Sequence, residues 1–324
     1  METLLQFLWR EWTALGVSGQ EHVELHHVID PEALLLFTCS LGRYDQRLFD
    51  EVMDWLTKNG SFLNIQRMKN ILQQEAFGGG EVLSAVADWL SQYGKPMKWK
   101  SLAKLEYERK KAQPLFYLAD GRSLPIPTDY EETFLEHGFK RSSLRPRGYS
   151  QAFPAGEVQC LLLKLRALFS VNARCDVMTY LALNGTGYPR EVARELYYSQ
   201  KAIHDLMTEM ACSGMVFSSR SGRARIFRIS DDSLPFLTNG TESTGWINWP
   251  ILLSTAEAIW KMTEELHTTT LDPAVENSEI LLTTKPLLER FTRCRWAPAI
   301  QFSQPMQGLA KLEAFKGAFE TVVT

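Results

Sequence analysis

The chain lacks any pair of cysteines at metal-ligand or redox spacing. Cys39, Cys160, Cys175, Cys212 and Cys294 are scattered, odd in number and without a CxxC pair. A disulfide framework and a cysteine-based zinc site are therefore not expected. Each cysteine lies in a mostly apolar stretch and reads as a small buried hydrophobe, and this usage fits the reducing cytoplasm. Long apolar runs are missing too. None reaches the roughly 18–20 residues that span a bilayer, which excludes a helical membrane protein. The opening METLLQFLWREW is apolar but carries Glu2, Arg10 and Glu11. It has neither a basic leading segment nor a small-residue cleavage site, so a signal peptide is not expected.

Phosphate loops, nucleophile elbows and catalytic metal motifs are also absent. Gly78-Gly79-Gly80 is not followed by Lys-Ser/Thr and reads as a flexible link between helices. His22, His26 and His27, with Glu21 and Glu24, offer HxxxH spacing but no HExxH, and read as loop or helix-surface histidines. Asp45, Asp50, Glu51 and Asp54 read as a solvated acidic face. No enzymatic activity, cofactor or metal is expected. Neither an internal repeat nor a low-complexity tract stands out.

What is there is the composition of a globular protein: 324 residues, 45% hydrophobic and 23% charged. Two or three domains fit this length. The net charge of −3 hides an asymmetry. Residues 1–94 hold 6 basic and 13 acidic side chains, net −7; residues 95–156 are net +5, residues 157–230 net +4 and residues 231–324 net −5. A basic middle lies between acidic ends, and nucleic-acid binding requires local rather than global positive charge.

Hydrophobic periodicity predicts short helices through residues 1–94. PEALLLFTCSLG, QRLFDEVMDWLTKNG, NIQRMKNILQQ and EVLSAVADWLSQYG each place apolar residues at helical spacing and close on Gly or Asn-Gly. A wingless helix-turn-helix within this bundle is one reading, and its acidity argues against it. Residues 95–156 are broken by Pro96, Pro114, Pro125, Pro127, Pro146 and Pro154 and read as a basic connecting region. Its clusters Arg109-Lys110-Lys111 and Lys140, Arg141, Arg145, Arg147 fit either a solvated linker or phosphate contact beside a DNA-binding module. Beyond Ser230, residues 231–324 form a helical C-terminal region. Its NWPILLSTAEAIWKMTEELH is amphipathic, and PLLERFTRCRW and LAKLEAFKGAFETVV follow as helices.

Residues 172–229, within a domain spanning 157–230, carry the functional signal. NARCDVMTYLALN is a helix closed by Gly185-Thr186-Gly187. PREVARELY follows, with Pro189 in its first turn. After Tyr197-Tyr198, Ser199 caps SQKAIHDLMTEMACSG. MVFSS and ARIFRI then form a hairpin around Arg220-Ser221-Gly222-Arg223, with Gly222 supplying a positive φ. Helix, helix, helix, hairpin is the winged helix order. The stretch YPREVARELYYSQKAIHDLMTEMACSGMVFSSRSGRARIFRI resembles winged helix-turn-helix regulators of the ArsR and MarR kind. The resemblance covers 42 of 324 residues and excludes the cysteine-rich metal signature of some ArsR-type sensors.

The fold class expected is mainly α: a helical N-terminal domain, a central winged helix-turn-helix with a β-hairpin wing, and a helical C-terminal region. The resemblance implies double-stranded DNA as partner. Carried over from it, Ser199, Gln200, Lys201 and His204 stand at the start of the recognition helix and Arg223 and Arg225 on the wing; Arg220 on the same hairpin and the hydroxyl of Tyr198 at the preceding turn join them as expected phosphate contacts. A DNA-binding transcriptional regulator is the leading expectation, as a homodimer through residues 251–266. Its small-molecule effector stays open. The alternative is an antitoxin-like or scaffold module using the winged helix for protein contacts.

Overall fold

The computed structural model describes residues 1–19, 25–92, 96–105, 107, 111–125, 128–222, 224–230, 245–268, 286–287, 289–295 and 317. The described chain is mainly helical with little sheet, as periodicity led us to expect. Among these residues no helix is long and apolar enough to cross a membrane.

Six helices open the first core: α1 (Glu2–Ala14), α2 (Pro31–Leu41), α3 (Gln46–Asn59), α4 (Ile65–Gln74), α5 (Gly80–Leu90) and α6 (Pro96–Ala103). Their starts are set by local chemistry. The Asp30 carboxylate accepts the main-chain N–H groups of Glu32 and Ala33, and Pro31 enters the first turn without losing a bond. Asp45 and Asn64 cap α3 and α4 in the same way. All 11 residues of α2 are buried. A helix apolar on every side belongs at the centre, and α1, α4 and α5 pack around it.

The glycine triplet is not a loose link. A Cβ on Gly79 would lie 2.7 Å from the backbone of Cys39 and Ser40, and one on Gly80 would lie 2.3 Å from the Tyr107 hydroxyl. The triplet lets the start of α5 lie directly against α2.

Residues 95–156, expected as a connecting region, contribute Trp99, Leu102, Leu115, Phe116, Phe134, Phe139 and Leu144 to the same core. They include α7 (Glu132–Glu136) and a short parallel pair, β1 (Gln113–Pro114) with β2 (Phe139–Lys140). The prolines interrupt regular elements, yet apolar side chains between them still pack. Part of the basic run expected to be solvent- or phosphate-facing is turned to the protein. Arg141 is buried, donates to Asp50 at 2.8 Å and lies over the Phe116 and Phe134 rings. Arg147 reaches Glu51 at 3.4 Å. The carboxylate of Asp54, read as solvated, is buried and accepts the main-chain N–H groups of Gly148 and Ser150.

A last long helix, α12 (Trp249–Thr268), returns to this core. Ile251, Leu252, Ala256, Ile259 and Met262 are buried against the chain's own residues, and α2 packs directly on the helix. The apolar face expected to form a homodimer is therefore covered within the chain. An amphipathic pattern identifies a face to be buried, not the surface that buries it. Phe291 and Cys294 join the same core. SDDSLPFLTNGTESTG, whose composition reads as a loop, and LAKLEAFKGAFETVV both lie almost wholly outside the described residues.

The second core is built from α8 (Leu161–Phe169), α9 (Ala173–Asn184), α10 (Pro189–Leu196) and α11 (Gln200–Ala211), with β3 (Thr186–Gly187), β4 (Val216–Ser221) and β5 (Ala224–Ile229). The sheet is antiparallel in the order β3-β5-β4. Val177, Tyr180, Leu181, Val192, Ile203, Met207 and Phe227 meet beneath it. β3 went unforeseen because two residues carry no alternation. Its Gly187 allows the approach of α10: a Cβ there would lie 2.6 Å from Val192.

Candidate nucleic-acid interface

The α10–α11 turn is tight and unusual. Tyr197 ends α10 in the left-handed conformation, φ 64°, with its N–H bonded to α10 carbonyls. A residue with a Cβ adopts this conformation only when its surroundings hold it there. Ser199 then caps α11, its hydroxyl oxygen accepting the Ala202 N–H at 3.3 Å. Ile203, Met207 and Met210 anchor α11 in the core, leaving Gln200, Lys201 and His204 exposed. Gln200 and His204, four residues apart, share one side of the helix. Farther along, Asp205 and Glu209 are also exposed; Glu209 pairs with Arg174 at 2.6 Å and Asp205 lies 3.4 Å from the His204 ring.

The hairpin of β4 and β5 closes through Gly222, at φ 62°, the positive value that a two-residue loop favours. Its register places Arg220 directly opposite Arg225. Both are exposed. Like charges directly opposite each other across an antiparallel pair repel. An anion between them relieves that repulsion. Arg228 is placed differently. It pairs with Phe217 in the register, and its guanidinium lies 5.4 Å from that ring, on the opposite face of the hairpin from Arg220 and Arg225. Arg223 lies outside the described residues.

The turn itself is gripped by the first core. Arg67 Nε donates to the Leu196 carbonyl at 3.3 Å and Asn70 Nδ2 to the Tyr197 carbonyl at 2.8 Å. The Tyr197 hydroxyl donates to Glu75 at 2.8 Å. The Tyr198 hydroxyl donates to Asp176 at 2.6 Å while accepting from Asn64 Nδ2 at 2.8 Å. Tyr198 is thus set apart from the other expected contacts: its hydroxyl is used inside the protein and positions α11.

Beneath the turn lies a buried charge cluster. Arg67 donates to Asp30 and Glu32, and Arg166 donates to Glu32 at 2.6 Å and to Asp176 at 2.7 Å. Three carboxylates surround two guanidinium groups. Burial alone would raise the Asp30 pKa, but the adjacent Arg67 charge and its hydrogen bonds prevail and hold it below the usual value. Glu32 is raised: burial outweighs the attraction of Arg166, and the Asp30 charge adds to it. Burial likewise lifts both the Tyr197 and Tyr198 hydroxyls, with Glu75 and Asp176 respectively reinforcing the shift, so both stay protonated donors.

Gln200, Lys201, His204, Arg220 and Arg225 therefore remain as an exposed set on α11 and the hairpin, with Ser199 at its edge. Asn64, Arg67 and Asn70, which position this set, were not legible from sequence because they lie some 130 residues away. Elsewhere, a cavity of about 640 Å³ opens between α5 and α7, lined by Glu81, Asp88, Lys104, Tyr107 and His137, with His137 paired to Asp88 at 2.9 Å. His27, one of the clustered histidines, is buried against Glu11 at 2.9 Å, whereas His22 lies outside the described residues. Among the described residues no three His, Cys, Asp or Glu side chains are placed to hold a metal ion. Comparison with protein-family models, curated proteins and solved structures gives no match.

Proposed function

We propose that residues 172–229 are a winged helix-turn-helix that binds double-stranded DNA, and that the chain regulates transcription through it. The observation that carries the reading is the Arg220–Arg225 pair, two exposed like charges directly opposite each other on a hairpin beside α11. In this reading the wing lies along phosphate, and Gln200 and Lys201 reach base edges in the major groove. Gln bonds adenine at two atoms and Lys reaches guanine. A homodimer would match two half-sites about one helical turn apart. It would need a surface other than the α12 face that α2 already covers.

The test is a salt titration on a duplex selected from a random pool and on an unselected one. Replacing Arg220 and Arg225 with Ala is expected to weaken both alike and to flatten log K against log salt by about 0.9 per lost contact. Replacing Gln200 or Lys201 with Ala is expected to cost roughly 1–3 kcal/mol on the selected duplex and little on the other. Equal losses on both duplexes remove the base-reading role of α11, and an unchanged slope removes the wing contact. Asp205 and Glu209 on α11, with Phe217 48% exposed on the hairpin, support a second reading, a protein-interaction module. Absence of binding to either duplex at low salt favours it.

A further inference from the structure

The first core carries a second surface of the same chemistry, next to the turn it holds. Asn64, Arg67 and Asn70, at one end and along one side of α4, bond the α10–α11 turn. On the exposed side of α4, Gln66 donates to Asn70 at 3.0 Å and so flanks the turn that leads into Gln200 and Lys201. α6 packs against α4, with the Lys98 ammonium bonded to the Ser61 carbonyl and Trp99 against Gly60. Residues 1–94 hold 13 acidic side chains, yet α4 within them contains none, and neither does α6 just beyond them. They present Gln66, Gln73 and Lys100 to solvent, with Lys69 half-buried beside them. The acids that touch the turn, Glu75 at the end of α4 and Asp176, are bonded to its tyrosine hydroxyls and paired with Arg290 and Arg166, and Asp30 and Glu32 beneath it are buried and answered by arginines. Among the described residues, the acidity that argued against nucleic-acid contact is absent from α4 and α6 themselves.

We propose that the α4–α6 face contacts the phosphate backbone of the same duplex that α11 reads, extending the protein's footprint along it. This rests on the DNA-binding reading. A ten-residue helix such as α4 is about 15 Å long, and a duplex rises about 3.4 Å per base pair. The face then covers about four base pairs beyond those under α11. Lys69 and Lys100 supply the charge; the glutamines supply neutral donors to phosphate oxygen.

The experiment compares the full-length protein with its K69Q/K100Q variant by fluorescence anisotropy, across a salt series. One mixed-sequence duplex has about 12 base pairs, enough for a single half-site, and the other about 30. On the long duplex the variant is expected to lower the slope of log K against log salt by about 1.8, two contacts at about 0.9 each. On the short duplex the slopes are expected to coincide. K100Q alone, at an exposed position, is expected to give about half the change and guards against misfolding of the double variant. Wild-type binding with an unchanged slope in both variants overturns the α4–α6 contact and leaves the α11 reading intact. Failure of the wild type to bind either duplex overturns both.

Discussion

At the scale of single residues, two positions show how close packing rather than flexibility explains an odd choice. Gly78-Gly79-Gly80 resembles a linker in composition, yet the three glycines face different obstacles. A Cβ on Gly78 meets the Lys261 ammonium, the far end of a flexible chain, whereas one on Gly79 meets the α2 backbone at 2.7 Å. Backbone inside a buried helix has nowhere to move. Gly79→Ala is expected to lower stability by about 1–3 kcal/mol through overpacking, and Gly78→Ala by less. Urea unfolding of the two variants checks the ranking; equal effects would mean that α5 can withdraw from α2. Tyr197 is the reverse case, a bulky residue where glycine is usual. Its left-handed backbone is held by the Asn70 bond to its carbonyl and the Glu75 bond to its hydroxyl.

Elements were legible where their signals are local. Ser199 as a cap, Pro189 in a first turn, Gly222 in the hairpin loop and the Ile203–Met207–Met210 stripe all stand within a few residues of what they specify, and α10, α11 and β5 fall where those signals put them, while β4 runs on through Arg220 and Ser221, which the sequence puts in the connection. What was not legible is relational. No local pattern announces that the α12 stripe meets α2, that Phe116 and Phe134 fill a core with residues before 94, or that α4 holds the α10–α11 turn. The surface set of the candidate site was readable residue by residue, while its support was not. Tyr198 tests that support. Tyr198→Phe leaves the Asp176 carboxylate and the Asn64 amide each short of a partner, and a buried group so left costs about 1–3 kcal/mol. The variant is expected to lose stability in that range. Because the turn loosens, Gln200 is also expected to lose base discrimination without a change in salt slope. Discrimination equal to wild type in a destabilised variant would confine Tyr198 to a structural role.

For the whole molecule, the charge asymmetry along the sequence turns out to be partly self-complementary. Arginines from the basic middle answer carboxylates from the acidic start: Arg141 to Asp50, Arg147 to Glu51 and Arg166 to Glu32. The consequence is a definite pH dependence. Asp30 has its pKa depressed below an unfolded value of about 3.9, the Arg67 charge overcoming burial. Its stabilisation is full above that value and is lost as pH falls through the folded pKa. Glu32 and Glu51 are shifted the other way, burial outweighing Arg166 and Arg147 respectively. Their contribution is full below about 4.3 and is lost as pH rises through their raised values. Opposed limbs produce a maximum in weak acid rather than at neutrality. Glu51 isolates one limb, because its Oε2 has no hydrogen-bond partner among the described residues and Gln keeps its shape without the buried charge. Unfolding free energy measured in urea from about pH 2 to 8 is expected to peak at about pH 4 in the wild type, between those two unfolded values. Glu51→Gln is expected to decline less steeply above the peak while keeping the acid limb that Asp30 creates. A wild-type curve still rising through pH 7, or an equally steep decline in Glu51→Gln, would show that the buried carboxylates are compensated by their arginines.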